Sequence, residues 1–144
     1  MTQENKKLLL KDLCARLNTN LVCSIYRTDD QGIGYRDEIL HGYYKVDDGY
    51  EFYFGEDCGI SVDNISKIKP YLFPLSSMTE EQHNEFFSYY HNIEMAEVKA
   101  SGDYLKAAYI GDDAKYSWLN KKHFDYRCLI EKGLAVDATG LNVY

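Results

Sequence analysis

Proline is almost absent from this chain: two residues in 144, Pro70 and Pro74, both in one stretch. Cysteine is sparse as well, and Cys14, Cys23, Cys58 and Cys128 form no C-x-x-C pair. A structural zinc site needs close-spaced ligand pairs, so no metal is expected. Apolar runs are short, Leu8-Leu9-Leu10 being typical, and a membrane span needs about 20 such residues. The opening MTQENKK has neither the apolar stretch nor the small-residue cleavage site of a secretory signal. No membrane association, a cytoplasmic setting and reduced thiols are therefore expected. Positive charge is in deficit, with 16 Lys+Arg against 23 Asp+Glu and a net charge of −7. Broad binding to a phosphate backbone needs clustered cations, so nucleic acid ranks below protein as a partner. P-loop, H-E-x-x-H and G-x-S-x-G motifs are missing, and Gly32-x-Gly34 lacks the third glycine of a dinucleotide loop. No cofactor is expected.

What is present is an ordinary globular composition, 45% hydrophobic and 27% charged, with an excess of tyrosine: 14 Tyr against 6 Phe and 1 Trp. Tyrosine pairs an apolar ring with a polar tip, which suits half-buried sheet faces and binding surfaces. The length suits a single domain over 1–144. A seam at Pro70–Ser77 divides it into a helix-plus-sheet lobe, 1–69, and a mostly helical lobe, 79–134.

Residues 4–18 read as a helix, with Leu10, Leu13, Cys14 and Leu17 on its inner stripe and Arg16 off it. From Leu21 the period changes to two. Strands are expected over about 21–26, 36–46 and 50–54, with a short fourth at Ile60–Val62, as an antiparallel meander. The fold class is α+β: an antiparallel sheet of three to five strands over about 21–62, an N-terminal helix and a helical C-terminal half. Residues 63–78 read as a connector because of the two prolines. Thr79 and Gln82 form a capping box for a helix ending near Asn92. The stretch 93–111 is ambiguous apart from a turn at Ser101-Gly102-Asp103. Further helices are expected at about 113–122 and at 126–132, the second capped by Asp125 and closed by Gly133.

The hairpin after Val46 sets a register. A three-residue loop, Asp47-Asp48-Gly49 with Gly49 left-handed, would place Val46 opposite Tyr50, Tyr44 opposite Phe52 and Gly42 opposite Phe54. That pairing gathers the apolar side chains and turns Tyr43 and Tyr53 outward, making them the leading candidates for partner contact. The acids Asp47, Asp48, Glu56 and Asp57 would cluster near hairpin ends, where turns attract Asp for backbone reasons alone.

His123, Asp125 and Arg127 form the densest chemical cluster. As base, orienter and anion-binding group they are the weak candidates for a catalytic site. Against this, Asp125 stands where a cap belongs, His123 suits a helix end, and no nucleophile is placed beside them by spacing.

Two strings, Ile68–Glu81 (IKPYLFPLSSMTEE) and Trp118–Ala135 (WLNKKHFDYRCLIEKGLA), cover about a fifth of the chain. They resemble a family of small proteins with no assigned activity, encoded by gut anaerobes, often within phages, prophages and other mobile elements. In that family a glycine often stands at the position of Cys128, which implies no redox role for this thiol. The resemblance implies a bacterial cytoplasm and an accessory role at the phage–host boundary. The leading expectation is a non-enzymatic accessory protein that binds another protein through a Tyr-rich face ringed by acids. The alternatives are a small enzyme acting on a nucleotide or nucleic acid through His123, Asp125 and Arg127, and an acidic inhibitor that mimics nucleic acid. A homo-oligomer stays open.

Overall fold

Thr2 opens the first helix, α1 (Gln3–Ala15), by accepting the Asn5 N–H at 3.1 Å, one of the donors that a helix start leaves unpaired. Asn18 and Asn20 then turn the chain through left-handed conformations, φ 67 and 56. A meander follows: β1 (Val22–Asp29), β2 (Gly32–Val46), β3 (Gly49–Phe54) and β4 (Cys58–Ser61). A kinked 3-10 segment, Val62–Lys67, leads into β5 (Ile68–Pro74), which returns to pair with β1. Next come α2 (Glu80–Ser101), α3 (Tyr104–Lys121) and two short strands, β6 (Phe124–Asp125) and β7 (Val136–Asp137). This computed structural model describes residues 1–29, 32–55 and 58–144; the turn residues Asp30 and Gln31 and the candidate acids Glu56 and Asp57 lie outside the described residues.

The class is α+β as expected, but the sheet is larger than three to five strands and not purely antiparallel. Its seven strands run β4-β3-β2-β1-β5-β6, with β7 also on β5. β1 to β5 pair antiparallel, whereas β6 and β7 join β5 in parallel. The expected connector over 63–78 is therefore corrected at β5, which lies inside the sheet. Its prolines are compatible with a strand because Pro70 pairs in register with Cys23 on one side, while the ladder on the other side begins only at Tyr71 and asks no N–H of it.

The two later helices are longer than the periodicity suggests, whereas α1 ends at Ala15, short of the expected Asn18. The capping box is complete: Gln82 N–H donates to Thr79 Oγ1 at 3.2 Å, and Thr79 N–H to Gln82 Oε1 at 2.9 Å. Ile93–Ala100 contains no Gly or Pro, so the helix runs past Asn92 to Ser101. It stops at Gly102 (φ 69), and Asp103 caps α3 by accepting the Lys106 N–H at 3.0 Å. Residues 93–111 are thus helical on both sides of the predicted turn.

The inner stripe of α1 is also corrected. Its fully buried residues are Leu9, Asp12 and Leu13, followed by Arg16 just beyond the helix; Leu10, Cys14 and Leu17 pack at the border. On the sheet, Leu21, Cys23, Ile25, Phe52, Phe54, Ile68 and Leu72 form the core beneath α1, in line with the period-two reading of 21–25 and 50–54. A second cluster joins Trp118, Leu119 and Phe124 to Phe73, Met78 and Phe86.

The hairpin register differs from the expectation. The loop has two residues, with Val46 opposite Gly49, Tyr44 opposite Glu51 and Tyr43 opposite Phe52. Gly49 takes φ 141. Leu40 nevertheless faces Phe54, because a β-bulge between Leu40 and Gly42 inserts one extra residue into β2. The bulge lets Leu40 and Tyr43, three residues apart, share the inner face, and it turns Tyr44 outward. Gly42 makes this possible: a Cβ there would collide with the Tyr44 ring, coming within 2.6 Å of Cζ. Gly42→Val should accordingly lower stability by about 1–3 kcal/mol, the usual cost of overpacking, as read from the urea unfolding midpoint. An unchanged midpoint would show that the ring moves aside freely.

Candidate functional site

The 123–127 segment leaves α3 through a strained residue. His123 takes φ 60, uncommon outside glycine. Its N–H bonds Asn120 O at 3.1 Å, and its own carbonyl accepts the Phe73 N–H at 2.9 Å beside the start of the β5–β6 ladder. The imidazole is buried, stacked flat on Tyr144 with centroids 4.1 Å apart, and its Nδ1 finds no hydrogen-bond partner. Burial, and then the charge of Arg16, hold its pKa down to about 4, so the ring is neutral at pH 7.

Asp125 is buried too, and its carboxylate accepts three backbone N–H groups: Arg127 at 3.3 Å, Leu129 at 2.9 Å and Ile130 at 2.8 Å. This is a cap, but the expected helix over 126–132 is absent. Cys128 at φ 57 breaks it, since right-handed helix needs negative φ throughout. The turn still closes as a Schellman motif, with Leu134 N–H on Leu129 O and Gly133 N–H on Ile130 O, both at 2.9 Å, and Gly133 at φ 67. The exposed Cys128 therefore occupies a conformation that suits glycine, a backbone reason for glycine at this position.

Arg127 turns away from both neighbours. Its Nη1 donates to Asp12 Oδ1 at 2.7 Å, and its guanidinium lies 4.3 Å from the Tyr126 ring centroid. Asp12 is already clamped by Arg16, whose Nε and Nη2 donate to the two carboxylate oxygens at 2.8 and 3.1 Å. Arg16 also donates to Phe124 O at 2.8 Å and Asn120 O at 3.4 Å, and Tyr126 O–H to Asn120 Oδ1 at 2.9 Å. The three catalytic candidates thus serve a stack, a cap and an ion network. Each is engaged with different partners, and none of the three is among the described residues that line the cleft at β4 or the cleft at the start of α2. The network's central members, Asp12 and Arg16, escaped the sequence reading. Their i, i+4 spacing marks an ion pair, but such pairs usually face water.

The tyrosines sort by face. Tyr43 is half-buried against the core, 4.8 Å from Phe52 and stacked at 5.3 Å on Tyr50. Its expected outward position is corrected, for the bulge turns it inward. Tyr53 lies on the outer face, edge-on to Tyr44 at 5.3 Å, and is half-buried. The same face carries Tyr26 and Tyr35, edge-on at 5.2 Å and paired in register, with Ile33 and Ile39. Ile33 is 73%, Tyr35 64% and Tyr44 57% exposed. The expected second strand begins at about 36 and so leaves out Ile33 and Tyr35, although their alternate spacing is a strand signal. A second set of exposed side chains, Leu105, Tyr109 and Tyr116, lies along α3.

Among the described residues no group of three or more His, Cys, Asp or Glu comes together to hold a metal, and no helix is long and apolar enough to cross a membrane.

Two predictions follow from the buried charges. Asp12→Asn leaves Arg16 without its counter-charge and should cost about 3–5 kcal/mol; Asp12→Leu combined with Arg16→Met should recover most of it, both read by urea unfolding. A loss no greater for Asp12→Asn than for the double variant would refute the account. For His123, the unfolded imidazole takes up a proton near pH 6.5, its ordinary value, and the folded one only near 4. As pH falls between these values the unfolded state alone binds the proton, so stability falls by about 3 kcal/mol in full. His123→Asn, which tolerates positive φ, should lose that part of the decline between pH 7 and 4. Equal declines in the two proteins would contradict it. No family model, curated protein or solved structure matches the chain.

Proposed function

We propose that this chain is a non-enzymatic accessory protein that binds another protein through the outer face of β1, β2 and β3. The observation that carries this reading is the strip of Ile33, Tyr35, Ile39 and Tyr44, with Tyr26 and Tyr53 beside it, left uncovered on one side of the sheet. Exposed apolar side chains gathered on one face, here with Asp37 and Glu51 among them, are the kind of surface that marks interaction sites in soluble proteins. Tyrosine suits the role, since its ring offers contact area at low entropy cost and its hydroxyl stays wet until bound. The edge-on pairs Tyr26–Tyr35 and Tyr44–Tyr53 restrain four of these rings before a partner arrives. Tyr53 keeps the partner-contact role expected from the sequence, and Tyr44 takes the one expected of Tyr43. The proposed setting is the one the resemblance implies, a bacterial cytoplasm at the boundary between a mobile element and its host. The binding reading is preferred to the enzyme reading because His123, Asp125 and Arg127 are each engaged with structural partners.

The test is affinity capture from a gut-anaerobe lysate with the unaltered chain and with Tyr35→Ser combined with Tyr44→Ser. Both side chains are exposed, so the variant should unfold at nearly the same urea concentration, within about 0.5 kcal/mol. A partner retained by the unaltered chain should be lost by about tenfold or more. A partner held equally by both proteins, or released instead by Leu105→Ser with Tyr109→Ser, would move the binding surface off the sheet.

A further inference from the structure

The helical hairpin keeps its larger apolar side chains away from its own seam. Contacts of Phe86 with Trp118, Tyr90 with Lys115 and Glu97 with Lys106, and the approach of Glu94 to Gly111, mark where α2 meets α3. On the α3 side the buried residues along most of that seam are small, Ala107, Gly111 and Ala114. Leu105, Tyr109, Asp112 and Tyr116 form another stripe of α3, at the 4-3-4 spacing of one helix face. Asp112 and Tyr116 follow the seam residues Gly111 and Lys115 by one position. On α2, Phe87, His91 and Met95 follow Phe86, Tyr90 and Glu94 in the same way. One step turns about 100° around a helix, and in an antiparallel pair that step leads to the same side on both. The two stripes therefore share one side of the hairpin, where Phe87 and His91 stack at 5.4 Å.

The five large side chains of this side, Phe87, Met95, Leu105, Tyr109 and Tyr116, are 41–69% exposed, and α2 buries no residue fully over its 22 positions. Helices in proteins draw their stability mainly from packing an amphipathic face. At about 150–250 Å² for a whole aromatic side chain, these fractions leave on the order of 500 Å² of side-chain surface in water. A stable interface takes about 800 Å² from each partner, its polar rim included, so one such side laid on another is of the required size.

Two features select a second copy as the cover. A net charge of −7 opposes self-association, yet the two stripes hold no Lys or Arg and a single acid, Asp112. The α3 stripe is also complementary to itself. About a centre between Ile110 and Gly111, Leu105 and Tyr116 are symmetrically placed, and so are Tyr109 and Asp112. Laid antiparallel on a second α3, the stripe sets Leu105 on Tyr116 and the Tyr109 O–H beside Asp112, each contact occurring twice, as a two-fold interface requires. Asp112 Oδ1 already accepts Lys115 Nζ at 2.8 Å, and a carboxylate has room for further donors.

We propose that two copies of the chain meet on this side of the hairpin, α3 antiparallel to α3, with Tyr109 of each copy donating to Asp112 of the other. The inference goes beyond the protein-binding reading and uses none of the sheet residues on which that reading rests.

Sedimentation equilibrium of the full chain tests it. The mass should rise from that of one chain towards that of two, with a dissociation constant of about 10 μM or tighter. Tyr109→Glu sets acid against acid across the interface and should weaken the dimer about tenfold or more. Tyr109 is exposed, so in dilute solution the variant should keep the urea midpoint of the unaltered chain. Mixing the Tyr109→Glu chain with an Asp112→Arg chain should give a heterodimer at about the unaltered affinity, because the new acid then meets the new cation. A single chain at about 100 μM would overturn the proposal. So would a dimer indifferent to Tyr109→Glu, or a mixture that fails to pair. A dimer broken instead by Tyr35→Ser with Tyr44→Ser would overturn it too, and would give the second copy to the sheet face.

Discussion

Asp12 and Arg16, one helical turn apart and wholly withdrawn from water, anchor the C-terminal part of the fold to its first helix. A buried guanidinium is tolerable only if its donors are met. Here they are met by the two Asp12 oxygens and by the carbonyls of Asn120 and Phe124. Those carbonyls lie in the last turn of α3 and in β6, and Asn120 O also accepts the His123 N–H. Arg16 thus ties the end of α1 to the place where the chain leaves α3. Arg127 adds a second cation to Asp12, and Tyr126 lies against both guanidinium groups. The charged side chains of Asp125 and Arg127 thus hold the chain together, the first as a cap and the second as a cation on Asp12.

The single extra residue at the bulge in β2 has consequences on both sides of the sheet. Side chains alternate with period two, so one inserted residue exchanges inner for outer along everything beyond it. Tyr43 goes in to meet Phe52, and Tyr44 goes out to join Tyr53, Tyr35 and Tyr26. The candidate binding face owes its composition to this step. Gly42 is the residue that allows it, by leaving room for the Tyr44 ring where a Cβ would stand.

The helical hairpin is held mainly to itself. Ala107, Gly111 and Ala114 line the buried side of α3, and a Cβ at Gly111 would approach Glu94 of α2 within about 3.3 Å. Such small residues allow close approach of the two helices, while α2 buries no residue fully. Trp118, near the end of α3, stacks on Phe124, sits 5.2 Å from Phe86 and donates to Glu85. Aromatic packing at that end therefore joins the hairpin to the sheet, and the rest of α3 keeps Leu105 and Tyr109 in water.

What the sequence determined by itself was chemistry confined to a few neighbouring residues. The Thr79–Gln82 capping box, the turn at Gly102, the Asp125 cap and the Schellman closure at Gly133 all join groups no more than five residues apart. The alternation of β1 and β3 was legible for the same reason, since each strand's pattern is its own. Tertiary structure alone decided the burial of Arg16, whose partners lie 104 and 108 residues away, and the capture of Arg127 by Asp12 at 115. It also made a strand of the Pro70–Pro74 stretch, because a proline is excluded only where a neighbour asks for its N–H, and that neighbour comes from elsewhere in the chain. The outer tyrosine face belongs to this second class. A bulge adds no letter to the pattern, and only the packing of Leu40 on Phe54 and Tyr43 on Phe52 together requires it.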